Sequence, residues 1–343
     1  MSIEVRQADL RLDRASLVEA LKKWLTPTSN DHRFDWLYTK NPYGPARAWL
    51  AVTERDGFVV GAAAAFPRRV LVGGSEIPAC VYGDFCVAPE HRSLGLALRL
   101  QRACLESTES GWAEIAYDFP SASMMAIYKR MGVGNHRTMT RFAKPLRANR
   151  KIREKLKYEP VVRAVSVVAN KALEMHDRAS LRESRWDIAA QQDTCGEEFT
   201  VLADEIGSAS GNCVVRTAAY LNWRFLFHPH CRYEILTAHR EGRLRGYLVF
   251  CENAGDGTIA DLFGVEDEEM FASLLGAASE ILRARAVITV NAPLLDGHPR
   301  SSSVEKAGFR RRESCDVILL EGSNRATSAV SGAWYLMDGD RDS

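Results

Sequence analysis

The sequence predicts an α+β fold, a mixed α/β sheet in two tandem lobes, each with mostly antiparallel strands flanked by helices. Three observations predict it. The chain has 343 residues, more than one small core serves, and that length favours two domains of ordinary size. A set of landmarks occurs twice in the same order. Each copy also holds a β-prone run that breaks through a turn into a helical pattern.

The repeat sets the organisation. Trp36 precedes Pro42 by six residues, as Trp223 precedes Pro229. Strand-like runs follow, 48–52 and 233–237, then charged turns at Gly57 and Gly242 and second strands entered at Gly61 and Gly246. Further on, Gly83 to Val87 aligns with Ala260 to Gly264, and Met131-Gly132-Val133 with Ala307-Gly308-Phe309. The offset drifts only from 187 at the Trp to 176 at the last Gly. The boundaries that follow are 1–146, a helical linker 147–186, and 187–343. That linker carries 11 Lys or Arg against five Asp or Glu. Its apolar residues Val161, Val162, Val165, Val168 and Leu173 recur at helical spacing, with Pro160 as an interruption, so two linker helices are expected. A basic helical segment of this kind also offers a peripheral membrane contact.

Composition narrows the function. With 46% hydrophobic and 26% charged residues the chain reads as folded rather than disordered. Lys and Arg number 45 against 44 Asp and Glu, so no overall field draws in nucleic acid, and any polyanion site is local. The eight cysteines form no C-x-x-C pair, which suits reduced thiols and a cytoplasmic location. No stretch reads as a signal peptide or a membrane span.

The most informative element starts at Tyr82 to Val87, an alternating β-prone run ended by Ala88-Pro89-Glu90. Leu96, Leu100 and Cys104 then fall at i, i+4 and i+8, a helix. Residues Arg92-Ser93-Leu94-Gly95-Leu96-Ala97 therefore occupy a strand-to-helix turn and the first helical turn. Unpaired N–H groups and the helix dipole make such a place an anion cradle. Gly95 and Ala97 keep side-chain bulk away from the backbone, and Arg92 adds a fixed charge.

Val87-x-Pro89-Glu90-His91-Arg92-x-x-Gly95-x-Ala97-x-x-Leu100 resembles the signature of the GNAT superfamily of acyl-CoA N-acyltransferases, whose consensus turn is Q/R-x-x-G-x-G/A. The resemblance is specific over residues 79–142 and follows strand order over 1–146. Ser93-Leu94 departs from it at the loop's periphery. The resemblance implies two tandem GNAT-like lobes with splayed sheets, and acetyl-CoA or another acyl-CoA as co-substrate; no metal is expected, since the His228-x-His230 pair has no third ligand evident nearby in the sequence. It also implies that Phe85, Cys86 and Val87 offer backbone groups to the pantetheine arm by strand addition, with 113–119 as the opposite splayed strand. Arg92, Ser93, Leu94, Gly95, Leu96 and Ala97 would hold the pyrophosphate.

The run Met124 to Met131 before Gly132 looks like the family's Y-x-x-x-G element. This makes Tyr128 the candidate general acid for the departing thiolate. Asp84 is the candidate base for the acceptor amine, although Asp261 stands at the matching place in the second copy and favours a structural role shared by both. Opposite the cradle the second copy has Glu266-Asp267-Glu268-Glu269, which would repel a pyrophosphate, and Val304 stands opposite Tyr128. The rear lobe is thus expected to be degenerate, shaping the acceptor site with Trp223, Arg224, His228 and His230. The segment 334–340 is expected either to tuck its aromatics between the lobes or to stay solvated.

The expected activity is acyl transfer to a primary amine of a small molecule, amino sugar or peptide. The alternatives are aminoacyl transfer from tRNA by a FemX-like tandem protein, which needs a basic groove that only the linker offers, and a non-catalytic acyl-CoA sensor or scaffold.

Overall fold

The computed structural model describes residues 2–133, 136–149, 152, 158–180, 185–207, 211–322 and 332–342. In the front half, the strands are β1 (Ile3–Gln7), β2 (Arg47–Thr53), β3 (Val59–Val72), β4 (Ser75–Val87), β5 (Ile115–Asp118) and β6 (His136–Pro145). In the rear half they are β7 (Asp187–Ala190), β8 (Asn212–Val214), β9 (Tyr233–Arg240), β10 (Arg243–Asn253), β11 (Asp256–Gly264), β12 (Thr289–Leu295), β13 (Arg310–Glu321) and β14 (Trp334–Tyr335). The helices that matter below are α1 (Arg14–Trp24), α2 (Leu94–Glu109), α3 (Ala122–Arg130), α4 (Glu159–Ser180), α5 (Glu197–Gly207), α6 (Glu268–Ala284) and α7 (Ser301–Lys306).

Twelve of these strands form one continuous path, β1-β2-β3-β4-β5-β13-β6-β12-β11-β10-β9-β7, and β8 joins it through β3. The order reads alike from both ends, with β1 answering β7, β2 answering β9, and so on to β6 and β13 at the centre. The central pair has crossed over. The front half's β6 lies against the rear half's β12 from Met139–Leu295 to Pro145–Thr289. The rear half's β13 lies against the front half's β5 from Ile115–Glu321 to Asp118–Ile318. Each half therefore finishes its sheet with a strand from the other.

Helical periodicity explains the covering layer. In α1, Leu17, Ala20 and Leu21 are buried at i, i+3 and i+4, and in α2 the expected Leu96, Leu100 and Cys104 are all buried. One hydrophobic cluster runs through both halves, including Trp36 and Trp223. These two indoles stack with centroids 5.1 Å apart. Each donates its Nε1–H to the other's backbone carbonyl at 2.7 Å. A buried indole N–H needs such a partner, and each Trp sits in a matching five-residue π-helical turn, 35–39 and 222–226.

In the linker, α4 runs for 22 residues with Pro160 in its first turn, where a missing N–H costs nothing, rather than as an interruption. Most of the other expected linker helix lies outside the described residues. No helix among the described residues is long and apolar enough to cross a membrane.

Candidate functional site

Strands β4 and β5 run parallel and pair only from Ala79–Ile115 to Val81–Tyr117. Beyond Val81 they diverge, and the edge of β4 from Tyr82 onward faces a gap instead of a neighbour. A bulge falls there, since two residues of β4, Asp84 and Phe85, oppose Ala63 of β3. Asp84 takes a left-handed φ of +49°. For a residue with a side chain this conformation costs on the order of 1–3 kcal/mol and persists only when its surroundings hold it. They do. Arg33 grips both carboxylate oxygens of Asp84 at 2.6 and 2.7 Å, and the Tyr38 hydroxyl donates to Oδ2 at 2.7 Å. Burial works against the Arg33 charge, but Asp84 outweighs it and raises the guanidinium's pKa.

The gap opens into a cavity of about 640 Å³ lined by Phe85, Cys86 and Val87 on the β4 side and by Asp118, Phe119 and Pro120 on the β5 side. At its mouth stand Arg92, Ser93, Leu94 and Ala97. Ser93 caps α2, accepting from the N–H of Leu96 through its side chain and from the N–H of Ala97 through its carbonyl. Helix geometry leaves the Leu94 and Gly95 N–H groups without an intrahelical partner. Among the described residues, nothing beyond its own turn lies within 4 Å of where a Cβ on Gly95 would stand, so this turn is open there. Arg92 folds back to donate from Nε to the Val87 carbonyl at 3.2 Å. Two of the expected contacts, Gly95 and Leu96, do not line the cavity: Gly95 is exposed, and the Leu96 side chain packs into the core under α2. Burial pushes the Cys86 thiol up to about 12, so it stays a neutral wall residue.

The two candidate catalytic residues are placed less simply. Asp84 lines the cavity, but Arg33 and Tyr38 already occupy its carboxylate. Tyr128 is fully buried behind the wall. Its hydroxyl donates to Asp118 Oδ2 at 2.7 Å and accepts from Gln101 Nε2 at 3.0 Å. Asp118 and Gln101 line the cavity, whereas Tyr128 does not.

The residue that sequence reasoning missed arrives from far away. Segment 334–342 leaves the rear half, and its Asp342 carboxylate packs directly over Gly83, where any side chain would collide with it. Asp342 lines the main cavity and also a second one of about 360 Å³. Burial and then the Asp84 charge raise its pKa. The second cavity is walled by Trp36, Arg33, Thr26 and Thr28 from the front half and by His228 and His230 from the rear. It meets the main cavity at Leu25, Asp84 and Asp342. Burial, with Arg224 nearby, pushes His228 down to about 3, so it is a neutral ring at neutral pH. Trp223 and Arg224 sit deeper than the sequence suggested. Trp223 stacks on Trp36, and Arg224 Nε donates to the Gly339 carbonyl at 2.7 Å, which steers segment 334–342. A histidine pair was visible in the sequence, but the approach of Asp342 depends on long-range folding and left no local signal.

The rear half repeats the opening and fills it. Strands β11 and β12 pair only from Asp256–Thr289 to Thr258–Asn291. Into the space beyond go Trp334, Tyr335, Leu336 and Met337, all buried, with Met337 bridging Leu294 and the Leu295 N–H donating to the Leu336 carbonyl. Segment 334–340 is thus packed and not solvated, but its Tyr335 and Met337 lie within the rear half's own cleft, against Phe263, His298 and Leu294, instead of between the lobes. Asp261, matching Asp84, pairs with Arg216 at 2.8 Å and accepts from Tyr247 at 3.0 Å, while Arg216 also holds Asp340 at 3.0 Å. At the start of α6, Asp267 caps the Met270 N–H, Arg185 pairs with Asp267 and Glu269, and Lys306 pairs with Glu268.

Residues 22–135 match the acetyltransferase (GNAT) domain family. No curated protein matches the sequence. Among solved structures, a conserved Enterococcus faecalis V583 protein of unknown function, described as a probable N-acyltransferase, aligns with TM-score 0.64 at 12% identity, over 94% of this chain and 72% of its own. A GCN5-related N-acetyltransferase from Anabaena variabilis ATCC 29413 aligns with TM-score 0.63 at 12% identity, over 93% and 72%. Another from Kribbella flavida gives 0.60 at 16% identity, over 92% and 71%. At such identities the likeness is one of fold, and it extends across both halves of the chain.

Proposed function

We propose, from the premise that this chain is a GNAT superfamily member through its domain at residues 22–135, that it is an acyl-CoA-dependent N-acyltransferase. Its donor is acetyl-CoA or another acyl-CoA, and its acceptor a primary amine on a small molecule, amino sugar or peptide. One observation carries the reading: the open cleft of the front half and the second cavity meet at a pair of carboxylates, Asp84 and Asp342. A donor entering from one side and an acceptor from the other would be brought together there, which is how a positioned site lowers the entropic part of a barrier.

The residues fit the donor. The exposed β4 edge at Phe85, Cys86 and Val87 suits strand-like hydrogen bonding of a pantetheine arm, and the α2 start at Arg92 to Ala97 suits a pyrophosphate. At the junction the acceptor must lose a proton before its lone pair can attack, since an alkylammonium holds its proton to about pH 10.4. Asp342 is the base in this reading. Its raised pKa makes it more basic than an ordinary carboxylate, and among the described residues no guanidinium binds it as tightly as Arg33 binds Asp84. Asp84 then serves as the buried anchor that orients Arg33 beneath the junction. Tyr128 stays near the departing sulfur as part of the Asp118 cluster.

Acetyl-CoA, CoA and bulk tRNA added separately in a thermal-shift assay test the donor. Stabilisation by the CoA species supports the reading, and stabilisation by tRNA alone overturns it in favour of aminoacyl transfer. Release of free thiol in an amine screen separates an enzyme from an acyl-CoA sensor. A cytoplasmic location accords with eight free cysteines.

A further inference from the structure

We propose that Asp118 is the general acid that protonates the departing thiolate, with Tyr128 and Gln101 as the residues that position it. The assignment rests on the acyltransferase reading above and replaces the phenol with a carboxylic acid as the immediate proton donor.

Geometry comes first. Asp118 is the last residue of β5, on the cavity wall opposite Phe85 to Val87. A pantetheine arm threaded between the two strands therefore passes it. Tyr128 reaches the same region only through Asp118, because its one hydroxyl proton is spent on Asp118 Oδ2 and Gln101 donates to its oxygen. In this arrangement the phenol has no proton directed at the cavity.

Acidity decides in the same direction. A free thiol has a pKa of about 8.5. Burial, and then the Asp118 charge, push Tyr128 well above 10, which makes proton transfer from it to a thiolate uphill. Burial raises Asp118 to about 7; the Tyr128 hydrogen bond holds it down and Asp342 adds a further upward push. A group of that acidity keeps its proton for much of the time at neutral pH, yet is a stronger acid than the thiol it must form. The groups that face it are Tyr128 from α3, Gln101 and Cys104 from α2, and Asp342 and Arg341 from segment 334–342, while its partner on β13 is the apolar Ile318. Asp342 and Arg341 are the charged neighbours, of opposite sign.

The proton count closes. As the C–N bond forms and the C–S bond breaks, the C–S electron pair moves onto sulfur, and sulfur takes the Asp118 proton. The acceptor ammonium first passes one proton through Asp342 to solvent, and the second proton, which the nitrogen sheds as the amide forms, goes to the Asp342 carboxylate. The products are the amide and a free thiol, with Asp118 ionised and Asp342 protonated. Transfer of that second proton from Asp342 back to Asp118, directly or through water, restores both groups, and the net product in protons is the one released to solvent for each ammonium acylated.

The test uses Asp118→Asn, which keeps the shape and still accepts from Tyr128. Wild-type turnover should fall as pH rises through about 7, where Asp118 loses its proton. The variant should bind CoA within about threefold of wild type, lose on the order of 10²–10⁴ in turnover with acetyl-CoA, and lack that alkaline limb. With an acetyl thioester of an acidic nitrothiophenol, which leaves without protonation, its deficit should shrink to below about tenfold. Tyr128→Phe provides a second line should the first variant fold poorly. Losing the hydrogen bond that favours the carboxylate should move the alkaline limb up by about one pH unit, with turnover below the limb reduced by less than in Asp118→Asn. Full acetyl-CoA turnover in Asp118→Asn, an equal deficit with the activated thioester, or an unmoved limb in Tyr128→Phe would overturn the assignment while leaving the acyltransferase reading intact. A wild-type protein that cleaves neither thioester with any amine would overturn both.

Discussion

The front and rear clefts are built alike and used in opposite ways. In both, parallel strands pair for three residues and then diverge, and in both a buried arginine holds an aspartate at the point of divergence. The front cleft is left open above a helix start whose first N–H groups face solvent. The rear cleft is packed with Trp334, Tyr335, Leu336 and Met337, and the carboxylates at the start of its helix are held by Arg185 and Lys306. The difference teaches that a splayed sheet is not itself a binding site. It becomes one only when nothing in the chain fills it. The same segment that closes the rear cleft goes on to deliver Asp342 to the front one, so filling one opening and equipping the other are a single structural act.

This comparison can be broken at several points. Replacing Asp342 by Asn should lower turnover by about 10²–10⁴, the usual worth of a general base, with acyl-CoA affinity nearly unchanged; steady-state kinetics beside equilibrium binding would expose any other pattern. Arg216→Met should cost roughly 3–5 kcal/mol of stability, because it strands two buried carboxylates, Asp261 and Asp340. Arg33→Met strands Asp84 alone and should cost less, and denaturant midpoints will rank the two. Gly95→Glu should weaken CoA binding by about two orders of magnitude through repulsion at the helix start, whereas Ala272→Glu at the matching place in α6 should leave it unaltered. Equal responses in a calorimetric titration would mean that the two helix starts are not distinguished as described. The smallest effect concerns the junction of the halves. Trp36→Phe and Trp223→Phe should each cost about 1 kcal/mol for a lost buried hydrogen bond, and similar losses are expected because the two bonds are reciprocal.

What the sequence made legible was local. Leu96, Leu100 and Cys104 announce a helix by spacing, Ala88-Pro89 ends the strand before it, and Gly95 falls in that helix's first turn. The repeated Trp and Pro landmarks pointed to paired elements, and both Trp residues do occupy matching turns. What stayed hidden depends on which distant segments meet. A strand's alternation gives its buried face but not its neighbour, so nothing in 136–145 or 310–321 signals that each lies in the opposite half's sheet. Arg33 and Asp342 carry no pattern around them, and Asp118 looks like the end of any strand. Burial raises its pKa, the Tyr128 hydrogen bond opposes that, and Asp342 from segment 334–342 adds to it. The motif points to Tyr128, but the direction of its hydroxyl, towards Asp118 and not the cavity, is a matter of packing.

The crossing of β6 and β13 bears on how such a molecule is made. The edge of β5 emerges from the ribosome at Asp118 and waits for a partner that begins at Arg310. Until then it is an uncovered strand edge, the kind of surface on which nascent chains stick to one another. Neither half expressed by itself holds the strand that completes it, but two copies of a single half could trade theirs. The chain has the form of a strand-exchanged dimer written into one polypeptide, and that tether spares it the search for a second subunit.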